Sequence, residues 1–125
     1  GWEVVQTDYD PRALELCETN AQRNGVTGIE VRIGDWREWP EELLAGFDLV
    51  IGADILYERT LHPVLRKLLP RFQCPILISD PFRPQATDFF QSIEPDGWKA
   101  ATGMRQVTWS EDPRRIALYR LSAQE

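Results

Sequence analysis

Histidine is almost missing from this sequence: His62 is the only one in 125 residues, and the two cysteines, Cys17 and Cys74, form no CxxC pair. A zinc site built from protein side chains needs three or four such ligands at close spacing, so no metal site is expected. Each cysteine sits inside an apolar pattern, which reads as a reduced core thiol of a cytoplasmic protein. No apolar run nears the ~20 residues that span a bilayer and no signal peptide is visible, so no membrane partner is expected. Positive charge is also short. Fourteen Lys and Arg stand against twenty Asp and Glu, a net charge of -6, and no basic stripe runs along the chain. Nucleic acid is therefore not expected as a partner, because phosphate contacts need such a stripe.

What is present is an ordinary globular balance, 42% hydrophobic and 27% charged residues, in a length that suits one domain, 1–125. Glu3 to Thr7 reads as a strand running into Asp8-Tyr9-Asp10-Pro11. Asp10 is a good N-cap and Pro11 fits the first helical position. The helix sets Leu14, Cys17 and Ala21 on one face and stops at Asn24-Gly25. Ile29 to Ile33 is a second strand, followed by Gly34-Asp35-Trp36 and a helical turn near Pro40 to Leu44. Phe47 to Ala53 is apolar on both faces, as a central parallel strand is. A helix with Leu61, Val64, Leu65, Leu68, Leu69 and Phe72 at helical spacing follows, with Pro63 in its first turn. Pro75 to Ser79 is a buried strand, Gln85 to Ile93 a helix, and strands near Trp98 and Ile116 close the chain. Alternating strands and helices predict an α/β fold with a mostly parallel sheet and an antiparallel hairpin at one edge.

Four successive strands end in aspartate: Asp8, Asp35, Asp54 and Asp80. In an open parallel sheet the carboxyl ends share one rim, where ligands bind. Aspartate after a strand also caps helices and makes turns. That alternative fits Asp10 and Asp80, the latter before Pro81, better than Asp8 or Asp54. A carboxylate ending the second strand of a nucleotide-binding sheet is placed to accept both ribose hydroxyls, which suits Asp8.

The ordered set TDYDP (7–11), GDW (34–36), DLVIGADILYE (48–58) and ISDPFRPQ (78–85) resembles the class I S-adenosylmethionine-dependent methyltransferases. More narrowly it is similar to the seven-strand protein lysine methyltransferases of methyltransferase family 16, the group of the electron transfer flavoprotein β-subunit lysine methyltransferase. The resemblance implies a Rossmann-like fold with S-adenosylmethionine as cofactor. It implies that Asp8 binds the ribose, that Tyr9 and Asp35 meet the adenine with Trp36 against the ring, and that Ala53 lines the cofactor. Asp54 and Tyr57 would be catalytic beside the incoming amine, Tyr57 reaching the same opening if a helical turn begins there. Asp80, Pro81 and Arg83 would shape the opposite, substrate-binding wall. The acceptor would be a protein lysine or a small amine. A non-catalytic module of the same fold, without cofactor, is the reading from a different class. The family's glycine-rich first strand has no counterpart after Gly1-Trp2. This predicts a partial domain lacking that strand between the strands ending at Asp8 and Asp54, with open sheet edges that favour self-association.

Overall fold

The computed structural model describes residues 1–109 and 111–123. Its chain divides into two compact units, residues 1–41 and 42–125.

In the first unit, strand β1 (Val4–Asp8) pairs in parallel with β2 (Ile29–Ile33), Val4 opposite Ile29 and Asp8 opposite Ile33. Helix α1 (Pro11–Arg23) connects them as a crossover. It starts where the sequence says it should. Asp10 accepts from the Arg12 amide, and proline fills the first turn, where its missing N–H costs nothing. It ends in a Schellman motif: the Val26 amide donates to Ala21 O and the Gly25 amide to Gln22 O, with Gly25 at φ 63°. Leu14 is buried, and on the same face the Gln6 side chain donates to Cys17 Sγ at 3.0 Å. Gly34, just past β2, is buried for a steric reason. A Cβ there would lie 2.8 Å from the Trp39 ring and 3.0 Å from Thr7 Cβ.

The second unit holds a four-stranded sheet in the order β3-β4-β6-β5. Strands β3 (Val50–Ala53) and β4 (Ile76–Asp80) are parallel, while β5 (Trp98–Trp109) and β6 (Asp112–Ala123) form the expected antiparallel hairpin, docked through β6 onto β4. Helix α2 (His62–Leu68), flanked by 3-10 turns at Arg59–Leu61 and Leu69–Arg71, buries Leu65, Leu68 and Leu69. Helix α3 (Pro84–Ile93) buries Ala86, Phe89, Phe90 and Ile93. The Phe90 ring stacks on Tyr119 of β6 with centroids 4.0 Å apart, and Phe89 meets His62 edge-on at 5.3 Å. Ile76, Ile78, Ala117 and Leu121 complete the core.

One expectation changes here. The apolar run from Phe47 forms a strand of only four residues, and it lies at the edge of its sheet, paired with β4 alone among the described residues. Ile51 is accordingly 71% exposed rather than buried on both faces. The sheet comes in two pieces, as a sheet without that first strand should: β1-β2 and β3-β4-β6-β5 are separate ladders among the described residues. No helix is long and apolar enough to cross a membrane among the described residues. Both cysteines are free thiols, and burial pushes the Cys74 thiol up, helped by the nearby Asp48 charge.

Candidate active site

The four strand-end carboxylates fall two to each unit. In the first, Asp8 closes β1, and the Gly34 amide donates to its backbone oxygen at 3.0 Å, so the segments after β1 and β2 leave their ladder side by side. The Asp8 carboxylate is half-buried. One oxygen, Oδ1, accepts the Asp10 amide at 2.9 Å, which fixes its rotamer, and Oδ2 has no hydrogen-bond partner among the described residues. A carboxylate held by one oxygen with the other free suits a vicinal diol. Tyr9 beside it is exposed.

Asp35 is engaged differently. Its Oδ1 accepts the Arg37 amide at 2.9 Å and Nε at 3.1 Å, and its Oδ2 accepts Arg37 Nη2 at 3.0 Å. The Arg37 hydrogen bonds hold its carboxyl below the usual carboxylate value. Three of roughly four lone-pair positions are taken. An adenine amino group would find room for one bond, not a free carboxylate. Trp36 is half-buried in the same turn. The sequence showed the aspartate; its partner two residues on carried no signal separable from an ordinary surface arginine.

In the second unit the Asp54 amide donates to Ser79 O at 2.8 Å, extending the β3–β4 ladder by one step and placing Asp54 beside the end of β4. Asp54 takes φ 52°, a left-handed conformation that aspartate tolerates better than most residues. Arg83 reaches it from the N-terminus of α3, with Nε to Oδ1 and Nη2 to Oδ2 both at 3.0 Å. This is a bidentate fork with both side chains 43% exposed. The bond to Asp54 pushes the guanidinium pKa up. The structure therefore brings together two residues the resemblance put on opposite walls.

Asp80 lies beneath this pair, 1% exposed. Its Oδ2 accepts the Arg83 amide at 2.7 Å, the turn role that an aspartate before proline suggests, and its buried Oδ1 has no hydrogen-bond partner among the described residues. Pro81 and Ala53 are exposed. Tyr57 is 54% exposed and belongs to no helical turn, since the 3-10 turn begins at Arg59. Its backbone oxygen instead accepts Gln85 Nε2 at 3.4 Å. The segments after β3 and β4 are thus joined by the Asp54–Arg83 fork, the Tyr57–Gln85 hydrogen bond and the Arg59–Asp88 ion pair. Phe82 was not legible from sequence. It sits at φ 66°, which is costly for an aromatic residue, and its ring is exposed beside Arg83.

A family model described as a methyltransferase domain matches residues 2–94. Among solved structures, the methyltransferase domain of bacterial CtHen1-C superposes with a TM-score of 0.69 at 12% identity, over 98% of this chain and 78% of that one. The precorrin-6y C5,15-methyltransferase of Geobacter metallireducens gives 0.68 at 11%, over 96% and 66%. A putative RNA methyltransferase of Pyrococcus horikoshii gives 0.63 at 17%, over 98% and 64%, so this chain spans about two thirds of that protein's length. At these identities the likeness establishes the Rossmann-like methyltransferase fold. None of the three names specifies a lysine acceptor.

Proposed function

We propose that this chain, which belongs to the methyltransferase domain family and takes S-adenosylmethionine as its methyl donor, serves N-methylation of an amine, with a protein lysine as the first acceptor to test. The observation that carries this reading is the state of the carboxylates at the ends of the parallel strands. Asp8 is fixed through one oxygen and open at the other, and Asp54 is clamped by Arg83.

The donor supplies an already activated sulfonium methyl when bound. The chain's own work is then recognition and orientation. Asp8 Oδ2 would accept from the ribose hydroxyls, Asp35 would keep one lone pair for the adenine amino group, and Tyr9 and Trp36 would flank the cofactor. For transfer, an acceptor amine must lose its proton and lie in line with the carbon–sulfur bond, roughly 3–3.5 Å from the methyl carbon. A lone carboxylate beside a lysine would raise the amine pKa above its usual ~10.4 and work against this. With its charge balanced by Arg83, Asp54 orients the amine without holding it protonated, and Tyr57, exposed and tied back by Gln85, offers a wall. Asp80 and Pro81 would shape the opposite, substrate-binding wall.

A small amine is the alternative acceptor. Likeness to an RNA methyltransferase fold also keeps a nucleobase amino group among the candidates. The deciding experiment incubates the whole protein with methyl-labelled S-adenosylmethionine and, separately, lysine-bearing proteins, small amines and single-stranded RNA. Label in lysine that is lost on Asp54→Ala supports the first reading. Label only in RNA, or only in a small amine, sinks it.

A further inference from the structure

Residues 98–123 carry five basic side chains, Lys99, Arg105, Arg114, Arg115 and Arg120, against two acidic ones, Glu111 and Asp112, in a chain whose net charge is -6. Elsewhere arginines are mostly neutralised: Arg12, Arg32, Arg37, Arg59, Arg66 and Arg83 each meet a carboxylate. Among the described residues none of the five hairpin cations is in an ion pair, and Arg105 donates only to the Met104 carbonyl.

Strand register decides where these charges go. Ser122 stands opposite Lys99, Arg120 opposite Ala101, Ile116 opposite Arg105 and Arg114 opposite Val107. Paired residues share a face and alternate rungs return to it. Lys99, Arg120, Arg105 and Arg114 therefore occupy one face, all exposed, while Ala117, Tyr119 and Leu121 point to the buried other face. From the Lys99 rung to the Val107 rung the stripe is about 27 Å long at ~3.4 Å per residue. Because β4 pairs with β6 only from Ala117 to Leu121, the outer rungs with Arg105 and Arg114 form an uncovered two-stranded ribbon. Exposed Val107 and half-buried Ile116 lie between those two arginines.

We propose that this face of the β5-β6 hairpin is a docking surface for a single nucleic-acid strand, held through its phosphates by Lys99, Arg105, Arg114 and Arg120. Unpaired guanidinium forks match phosphate oxygens, and with Lys99 they place a cation on four of the five rungs of this face from Lys99 to Val107, all but Gly103–Leu118, so a polyanion meets positive charge along most of its length. The apolar side chains between them offer contact to bases, which an acidic peptide has no flat group to use. The face lies away from the Asp54–Arg83 pair in sequence and chemistry, and the inference does not rest on which amine is methylated. It also reverses the expectation of no nucleic-acid partner. The linear sequence shows scattered arginines, and only antiparallel pairing lines them up.

Fluorescence anisotropy on the whole protein with a labelled mixed-sequence single-stranded RNA of about 16 nucleotides tests this, with single-stranded DNA and poly-glutamate as competitors. Arg105→Gln with Arg114→Gln should weaken binding by roughly tenfold and reduce the salt slope of log K by about 1.4, from ~0.7 per phosphate contact on a single strand. Arg23→Gln with Lys67→Gln should leave both unchanged, and all variants should melt like the wild type. Competition by DNA as well as RNA supports phosphate recognition. The proposal is overturned by absence of RNA binding at low salt, by a salt slope unaltered in the hairpin variant, or by poly-glutamate competing as well as RNA.

Discussion

Asp8 and Asp54 hold the same position, the carboxyl end of a parallel strand, and differ in what their oxygens already carry. Asp8 has Oδ2 open, so Asp8→Ala should weaken S-adenosylmethionine binding by about 1.5–3 kcal/mol, the range for a charge-assisted hydrogen bond. Calorimetry on a folded variant with unchanged affinity would remove Asp8 from the cofactor site. Asp54 has both oxygens on Arg83, so its loss disturbs orientation at the reacting end. Asp54→Ala should cut turnover strongly while cofactor affinity stays within a few-fold. Reduced cofactor affinity with normal saturated turnover would contradict that. A third residue acts through a missing side chain: Gly34→Ala would drive a Cβ to 2.8 Å from the Trp39 ring, closer than real contacts come, and to a tight 3.0 Å from Thr7 Cβ. Destabilisation by about 1–3 kcal/mol is expected, and a urea midpoint equal to wild type would show that Trp39 moves aside freely.

Among the elements, α1 was readable at both ends because its signals are local: an Asp-Pro start and an Asn-Gly stop. The helix after β3 was readable by its leucines but not in its details, since Leu69-Pro70 and the residues before His62 tighten it into 3-10 turns. Its tie to the 3-10 turn after α3 is the Arg66–Asp96 ion pair, 41% and 42% exposed. The Arg66 hydrogen bond holds the Asp96 carboxyl below its ordinary value. A carboxyl with a depressed folded pKa contributes stability above its unfolded pKa and loses it as pH falls through the folded value. Asp96→Asn should therefore lower the denaturation midpoint slightly near neutral pH, with the difference shrinking toward about pH 3 and in high salt. A wild-type–mutant difference constant with pH would contradict the assignment.

At the scale of the whole molecule the sheet comes as two ladders, each with two strands paired on one side only among the described residues, β1 and β2 in one and β3 and β5 in the other. Beside the β3 edge lie Leu49 and Ile51, both exposed. An apolar edge strand of this kind pairs readily with another chain. Residues 1–125 on their own should therefore self-associate in a concentration-dependent way, and Ile51→Lys should shift them toward monomer in sedimentation velocity, because a charge at that position penalises edge pairing. A wild-type chain that stays monomeric at high concentration would refute this.

Taken alone, the sequence determined the element order, the α/β class, the hairpin at the end of the chain and the residue type at each strand end, because periodicity, caps and turns are written within a few residues of where they act. It also pointed to the methyltransferase family, since the motifs keep their order. Three things were decided only by tertiary structure. Arg83 bonds to Asp54, because the crossing from α3 to the end of β3 joins residues 29 apart. Ile51 is exposed because burial of a strand depends on neighbours that its own residues do not specify. The basic stripe exists because strand register sets residues up to 23 positions apart on one face, an alignment no linear charge count contains.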